Sequence, residues 1–303
     1  MAEKIWSTLS NELAEASFEG GKSVVCVQGR RHPSSGIIFN KESVVTTHHA
    51  LRRDEDVAIV TAPGQRVASR VVGRDPGTDL AVLRLEQPIQ APPARWGNSA
   101  ELRVGELVLA LACTRRGNIV ASSGIVSGYI NERWTTWHRG ELDQFIRPDV
   151  NFYPGFSGGP LVNSRGEFLG VNTAGLYRSG ITIPAATVAR VATELLEKGR
   201  IERPYLGLAM QAAPLTESFR TKLNLNSSEG LLVMHVVPGS PADKAGVLLG
   251  DVLIELNHQP VADTDAVQQQ LRSQKMGTEI EAVFIRGGAI ANSKVKLEAW
   301  PAR

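Results

Sequence analysis

Short apolar segments rich in β-branched residues, separated by polar turns that contain glycine, occupy most of the chain between residues 22 and 183. Two of these segments, residues 36–39 and 43–51, are joined by a polar turn and predict a β-hairpin. A series of such segments is typical of antiparallel β structure. The sequence therefore predicts a mainly β fold for the larger part of the chain.

Helical spacing of apolar residues occurs at two places outside this β region. Near the N-terminus it involves Ile5, Leu9, Leu13 and Phe18. A second helix is predicted after Pro184, because apolar residues recur at helical spacing until Gly199 provides an end signal. A polar connector follows, so we expect a domain boundary near residue 200. The chain is thus divided into an N-terminal helical segment and two domains: residues 1–20, 21–199 and 204–303.

A serine surrounded by glycines is the first sign of chemistry. Residues 155–160 read Gly-Phe-Ser-Gly-Gly-Pro. Glycine permits backbone angles that other residues avoid, so such a turn can expose Ser157 while the amides of Gly155 and Ser157 converge on one point. This arrangement suits a nucleophile beside an oxyanion hole. A serine nucleophile also requires a histidine base and a carboxylate that orients it.

Both partners precede the serine in the sequence. His49 ends a predicted strand in Thr-Thr-His-His, and Asp79 lies where a turn leads into an apolar run, in Thr-Asp-Leu-Ala-Val-Leu. Taken singly, each has a structural interpretation, as a hydrogen-bonded histidine and as a turn cap. A buried aspartate needs a partner, however, and an imidazole can supply it. His48 is interpreted as structural or as a neighbour of the site.

These three motifs, in the order His, Asp, Ser, resemble the HtrA/Deg serine proteases over nearly the whole chain. The resemblance implies a chymotrypsin-like double β-barrel followed by a small α+β PDZ domain. It makes His49 the base, Asp79 the acid and Ser157 the nucleophile, with the amides of Gly155 and Ser157 as the oxyanion hole. By family position, the specificity pocket would involve Asn151, Phe152, Asn172, Thr173 and Ala174. No carboxylate is among them, so we expect cleavage after small or medium apolar residues.

The resemblance implies a serine endopeptidase that cleaves unfolded or damaged proteins through an acyl-enzyme, as in protein quality control. The sequence departs from the family pattern at Phe156, because the family usually has asparagine at this position. Phe156 could pack inward and brace the loop, or it could favour a collapsed hole with the Gly155 amide turned away. The alternative function is therefore a non-catalytic peptide-binding or chaperone-like protein that retains the protease scaffold.

The second domain resembles a PDZ domain of the HtrA type in its ordered glycine and proline turns between residues 205 and 257. A PDZ domain binds peptide C-termini by adding an extended peptide to an open sheet edge beside a helix, while free amides receive the terminal carboxylate. The resemblance assigns peptide binding to a turn and to one face of a helix. The turn comprises Tyr205, Leu206, Gly207 and Leu208, and the helix, at residues 264–272, contributes Ala266, Val267 and Gln270.

Composition adds limits on partners. The 303 residues are 42% hydrophobic, which is enough for two cores, and their net charge of +2 gives no basic field of the kind found in nucleic-acid-binding proteins. No apolar run approaches the roughly 18 residues of a membrane span. No motif indicates a cofactor, and the pair His48-His49 lacks the further ligands of a metal site.

Two features remain open at the sequence level. Cys26 and Cys113 are expected to be buried, and a disulfide between them is the less favoured alternative. The first 14 residues are too polar for an export signal, so the chain as written is expected to be cytoplasmic, or periplasmic if a leader was removed. The resemblance also suggests a homotrimer anchored by Trp6 and Phe18, with ordinary core packing of these side chains as the alternative.

Overall fold

The computed structural model describes residues 2–29, 33–52, 54, 57–61, 64–130, 134–135, 141–142, 144–176, 180–202, 204–225 and 227–299. The chain forms two compact units, Met1–Ile201 and Glu202–Arg303. Each unit has its own hydrophobic core.

The first unit begins with a helix and a closed antiparallel barrel. Helix α1 spans Ala2–Gly21. The barrel strands are β1 (Val24–Gln28), β2 (Ser34–Asn40), β3 (Ser43–Thr47), β4 (Val57–Thr61), β5 (Arg66–Asp75) and β6 (Leu80–Leu85). Their order around the barrel is β1-β2-β3-β6-β5-β4. Because β3 pairs with β6 and Thr47 lies opposite Leu80, the segments that follow β3 and precede β6 meet at one end of the barrel.

A second closed barrel follows in the same unit. Its strands are β7 (Leu107–Cys113), β8 (Ile119–Ile130), β11 (Phe145–Asp149), β12 (Pro160–Val162), β13 (Phe168–Thr173) and β14 (Ile181–Pro184). Their order is β11-β14-β13-β12-β7-β8. A small hairpin of β9 (Trp134–Thr135) and β10 (Glu141–Leu142) lies between β8 and β11 in the sequence. The described loops of this unit contain two 3-10 helices: His48–Ala50 and Ser99–Glu101.

Helix α2, Ala185–Lys198, closes the first unit. Its buried apolar side chains pack on the barrels, as the helical spacing predicted. Gly199 ends the helix with a left-handed backbone (φ 73°), and its amide donates to the carbonyl of Leu195. Helix α1 buries Ala16 and Gly20 against the second barrel and leaves Trp6 and Phe18 exposed.

The second unit is an α+β domain. Its strands are β15 (Pro204–Tyr205), β16 (Leu208–Pro214), β17 (Glu229–Val236), β18 (Val252–Leu256), β19 (Gln259–Pro260), β20 (Glu279–Arg286), β21 (Ala289–Lys296) and β22 (Glu298–Ala299). Its helices are α3 (Glu217–Leu223), α4 (Pro241–Lys244) and α5 (Thr264–Arg272). The main sheet has the order β16-β17-β18-β20-β21, so β16 is an edge strand among the described residues.

The predicted mainly β fold is confirmed, with a double barrel followed by a small α+β domain. The prediction that both cysteines are buried is also confirmed, and both are free thiols. Within the described parts of the chain, no helix combines the length and the apolar character that a membrane span requires.

Candidate active site

The meeting of the β3 and β6 ends places His49 against Asp79. His49 Nδ1 lies 2.6 Å from Asp79 Oδ2, and the backbone amide of His49 donates to Asp79 Oδ1 at 2.9 Å. The amide of His48 donates to the Asp79 carbonyl at 2.8 Å. Asp79 has a left-handed backbone (φ 57°), which is unusual for a residue with a side chain, and these bonds hold it there.

The two side chains differ in their exposure to solvent. The Asp79 side chain is 4% exposed, whereas the His49 side chain is 33% exposed. Thr173, at the end of β13, donates its hydroxyl to Asp79 Oδ2 at 2.5 Å. Because an ionised carboxylate only accepts hydrogen bonds, Nδ1 of a neutral His49 carries the ring proton. The Nε2 atom is then left as the basic position.

The segment Thr173–Gly175 touches all three residues that the resemblance assigns to a triad. Thr173 binds Asp79, and the amide of Ala174 donates to Ser157 Oγ at 3.2 Å. Gly175 lies against the imidazole, since a Cβ atom added to it would stand 2.5 Å from His49 Nδ1 and 2.8 Å from Asp79 Oδ2. One short segment thus carries contacts to His49, Asp79 and Ser157.

Ser157 Oγ accepts a hydrogen bond from Ala174, which leaves the hydroxyl proton free for donation. Among the described residues, no hydrogen bond joins Ser157 Oγ to the His49 ring. Catalytic hydrogen bonds are often long in enzymes without substrate and shorten when substrate binds. The arrangement therefore leaves a free hydroxyl proton and a basic ring nitrogen beside the same segment.

Two glycines with positive φ shape the loop that carries Ser157. Gly155 and Gly158 have φ values of 102° and 85°, a region that favours glycine. Within the part of the chain that the structure describes, the amides of Gly155 and Ser157 have no hydrogen-bond acceptor. The intervening amide of Phe156 donates to the Tyr153 carbonyl at 3.1 Å.

Phe156 packs inward. It is 2% exposed and belongs to the core of the second barrel, with Leu161 and Leu169 in the same cluster. Its ring meets that of Tyr153 edge-on, with the centroids 5.8 Å apart. Of the two arrangements considered from the sequence, the inward packing of the Phe156 ring is the one observed.

The residues expected at the specificity pocket have different environments. Ala174 and Asn151 are exposed, and Phe152 is half-buried with its ring against Gly180. Asn172 is completely buried, and its side chain donates to the Pro160 carbonyl and accepts from the Thr182 hydroxyl. Thr173 is buried and donates to Asp79. Phe152 and Ala174 thus retain accessible surface, whereas Asn172 and Thr173 have internal partners.

Three residues beside the site were not singled out, or were given another role, by sequence reasoning. Thr173 was expected in the specificity pocket, and its hydroxyl binds Asp79. Gly175 lies against His49, and Ser35 binds the loop of Ser157. No local pattern in the sequence distinguishes them, because their contacts join segments far apart in the chain. Among the described residues, no group of three or more His, Cys, Asp or Glu side chains could hold a metal ion.

A second candidate site lies in the α+β unit, at the turn between β15 and β16. Gly207 has a φ of 84°, and an added Cβ atom would overlap the Cβ atom of Ser240. The carbonyl of Leu206 accepts from the amide of Ala242, and that of Gly207 accepts from the amide of Val237. The amides of Leu206 and Gly207 have no acceptor among the described residues, as a carboxylate-binding turn requires.

The groove beside this turn has one wall from edge strand β16 and one from helix α5. Leu208 is half-buried and packs on the core, and Tyr205 is buried. On the helix, Val267 is buried and Ala266 is half-buried. Gln270 Oε1 is buried without a hydrogen-bond partner in the described part of the chain.

Comparison with known proteins agrees with both units. Residues 34–171 match the family model of the trypsin-like peptidase domain, and residues 204–297 match that of the PDZ domain. The solved serine endoprotease from Yersinia pestis is 25% identical with a TM-score of 0.75, covering 95% of this chain and 98% of that one. The HtrA-type protease AlgW with decapeptide is 24% identical with a TM-score of 0.75, covering 96% of this chain and 99% of that one, and supports the fold alone.

Curated relatives give the same assignment. A serine protease Do-like HtrA of Lactobacillus helveticus is 30% identical over 96% of this chain and 73% of its own length. A probable periplasmic serine endoprotease DegP-like of Bartonella henselae is 32% identical over 88% of this chain, which spans only 53% of that relative. The predicted family is thereby confirmed, and the chain belongs to the HtrA serine proteases, with a trypsin-like peptidase domain followed by a PDZ domain.

Proposed function

We propose that this chain is a serine endopeptidase that cleaves unfolded or damaged proteins through an acyl-enzyme, and that its PDZ domain binds peptide C-termini. The observation that carries the proposal is the 2.6 Å contact between His49 Nδ1 and the buried Asp79 carboxylate, beside Ser157. His49 Nε2 takes the proton of Ser157 Oγ as the oxygen attacks the substrate carbonyl, and later gives a proton to the leaving amine. Asp79 holds the ring tautomer throughout.

The oxyanion of each tetrahedral intermediate binds the amides of Gly155 and Ser157. Support comes from their lack of a described acceptor and from the buried Phe156 that braces the loop between them. Each donor of this kind contributes about 3 kcal/mol to catalysis in comparable enzymes. Water then hydrolyses the acyl-enzyme by the same proton transfers in reverse order.

Substrate selection follows from the pocket residues. We place Phe152 and Ala174 in contact with the substrate side chain, because they keep accessible surface, while Asn151 is at the rim and Asn172 and Thr173 support the wall. No carboxylate belongs to this set, so a basic side chain would lack a partner. The proposed preference is for small or medium apolar residues before the cleaved bond.

The PDZ groove is proposed to receive a C-terminal peptide as an additional strand beside β16. The free amides of Leu206 and Gly207 would bind its carboxylate, and Leu208, Ala266 and Val267 would contact its apolar side chains. Gln270 Oε1, which has no hydrogen-bond partner among the described residues, would accept from a donor group of the peptide. Tyr205 supports the turn from the core side.

Location and assembly are part of the proposal. Relatives from Bartonella henselae and Chlamydia trachomatis are named probable periplasmic endoproteases, and we propose the periplasm for this chain as well.

We also propose a homotrimer anchored by α1. Trp6 and Phe18 are 71% and 63% exposed, and their removal by W6A/F18A should shift the mass measured by light scattering from trimer to monomer.

The test of the activity is casein hydrolysis by the wild type and by Ser157→Ala. A working triad predicts a loss of about 10³-fold or more in the variant. Negligible and indistinguishable rates for the two proteins, together with intact peptide binding, would instead support a non-catalytic peptide-binding protein. Circular dichroism of both proteins controls for folding.

A further inference from the structure

Ser35 is completely buried in strand β2 of the first barrel, and its hydroxyl and amide bind residues of the second barrel. Its hydroxyl donates to the carbonyl of Gly155 at 2.7 Å. Its amide donates to the carbonyl of Ser157 at 2.9 Å. One residue therefore holds the carbonyls on both sides of Phe156, in the loop where the amides of Gly155 and Ser157 have no acceptor among the described residues.

The direction of the Ser35 hydroxyl is fixed by a second bond. The amide of Cys113, at the end of β7, donates to Ser35 Oγ at 2.9 Å. Since that amide can only donate, it occupies a lone pair of Oγ, and the hydroxyl proton remains for Gly155. The Cys113 amide, the Ser35 hydroxyl and the Gly155 carbonyl form a chain of hydrogen bonds in a buried place, where such chains reinforce one another.

Gly155 needs an external restraint because glycine alone does not fix its own backbone. The peptide unit between Gly155 and Phe156 is held at both ends, by Ser35 on the carbonyl and by Tyr153 on the amide. Without the Ser35 hydroxyl, this unit loses one of the two bonds that oppose its rotation. A rotated unit would change the angle between the Gly155 and Ser157 amides, which must point at one oxygen atom.

We propose that Ser35 is a positioning residue for the oxyanion hole, acting through the carbonyls of Gly155 and Ser157. This inference rests on the proposed function and extends it to a residue of the other barrel. Ser35 does not touch the substrate. Its contribution is to hold the two amides in the orientation that the transition state requires.

The neighbouring residue supplies a matched control. Ser34 Oγ is also buried in β2, but it has no hydrogen-bond partner among the described residues. Ser34→Ala therefore removes the same atom from the same strand without breaking a described bond. We expect Ser34→Ala to keep wild-type kcat and KM.

The test compares Ser35→Ala with the wild type on a fluorogenic peptide, with rates expressed per folded molecule from an unfolding titration. We expect kcat to fall on the order of 10²-fold, with a much smaller change in KM, because misorientation affects the transition state more than the bound substrate. Inhibition by a peptide boronate, whose tetrahedral adduct places an oxygen in the hole, should weaken by a similar factor. Ser35→Cys, assayed under reducing conditions, keeps the shape with a weaker donor and should lie between the two.

The outcomes separate this inference from the proposed function. Suppose that the wild type cleaves casein, and that Ser35→Ala or Ser35→Cys has the same kcat and the same boronate affinity per folded molecule. This result would overturn the inference about Ser35 and leave the proposed function intact. A wild type that does not cleave would contradict the proposed function first. If Ser35→Ala does not fold, Ser35→Cys decides between these results.

Discussion

The Thr173 hydroxyl and the Asp79 carboxylate form a 2.5 Å hydrogen bond at the oxygen, Oδ2, that also faces His49 Nδ1. Asp79 is almost fully buried, so each partner of its carboxylate helps to compensate the loss of water around the charge. The same Thr173 oxygen accepts the amide of Gly175 at 3.0 Å. Thr173 thereby fixes both the carboxylate and the segment that touches the His49 ring.

Thr173→Val should lower kcat/KM for peptide hydrolysis about tenfold, because the carboxylate loses a bond that sets its direction and the imidazole follows it. Stability should fall by about 1 to 3 kcal/mol, since the Gly175 amide and Asp79 Oδ2 each lose a buried partner. Peptide kinetics and urea unfolding measure the two effects. Thr173→Ser keeps the hydroxyl and serves as the control; equal activity of the Val and Ser variants would contradict the assigned role.

Gly175→Ala should strongly lower the rate of peptide hydrolysis without unfolding the enzyme. The new methyl group would lie 2.5 Å from His49 Nδ1, so the ring must move away from its present position. A displacement of this kind costs on the order of 10²-fold in rate. Gly128→Ala is the matched control in strand β8, because its nearest neighbours would be 3.8 Å away. Normal peptide turnover by Gly175→Ala would show that His49 has another working position.

Phe156→Ala should destabilise the first unit by about 3 to 5 kcal/mol, as is usual when a buried phenylalanine is truncated. The cavity would lie directly under the loop that carries Ser157, so kcat per folded molecule should fall as well. Phe156→Leu fills most of the space and should retain most of both properties. Denaturant unfolding and casein hydrolysis give the comparison, and a fully active, stable Ala variant would rule out a bracing role.

Gly207→Ala should abolish peptide binding by the PDZ domain. Its methyl group would overlap Ser240, and its backbone at φ 84° is already unfavourable for alanine. Gly277→Ala separates these two effects, because Gly277 has a similar φ of 79° but nothing within 4 Å of an added Cβ. Fluorescence polarisation with a peptide ending in apolar residues measures the affinity. Equal binding by both variants would place the carboxylate site elsewhere.

The ion pair between the buried Asp251 carboxylate and the partly exposed Arg286 guanidinium predicts an acid dependence of stability in the second unit. Burial alone would raise the pKa of Asp251, but the hydrogen bonds from Arg286 and from the Leu248 amide, together with the guanidinium charge, lower it. Two of these bonds run from the guanidinium, at 2.8 Å to Oδ1 and 2.6 Å to Oδ2. A carboxyl group with a lowered folded pKa stabilises the fold above its unfolded pKa of about 4 and loses that contribution as the pH falls through the folded value.

Arg286→Gln should therefore cost about 1.5 to 3 kcal/mol of unfolding free energy at pH 7, and the difference from the wild type should shrink as the pH falls below about 4. Part of the difference in unfolding free energy should remain at every pH, because Arg286 also donates to the Gly246 carbonyl at 2.8 Å. Urea unfolding across this pH range measures both parts. A difference that stays constant between pH 7 and strong acid would attribute the loss to packing instead of charge.

Much of the fold followed from local patterns. The alternation of apolar segments and glycine turns predicted the mainly β fold, and Pro184 with Gly199 bracketed helix α2. These features depend on residues close together in the sequence, which is why periodicity and end signals reveal them. His49 and Asp79 also carried local motifs, and the 2.6 Å contact between them is present in the structure.

The support around the site could not be predicted in the same way. Thr173 and Asp79 are in contact although they lie 94 residues apart in the sequence, and Ser35 and Gly155 lie 120 residues apart. Such contacts depend on how two barrels face each other, and a serine in a strand carries no sign of the carbonyl that it will meet. The inward orientation of Phe156 likewise depended on space in the second barrel, which only the packing of that core defines.

The most direct test of the triad is covalent capture of Ser157 by a fluorophosphonate, followed by intact mass and peptide mapping. The account predicts one adduct per wild-type chain, located on Ser157, no adduct on Ser157→Ala, and reaction at least about 10³-fold slower for His49→Ala. A wild type that hydrolyses casein while Ser157 stays unmodified, or a His49→Ala variant that reacts as fast as the wild type, would contradict it.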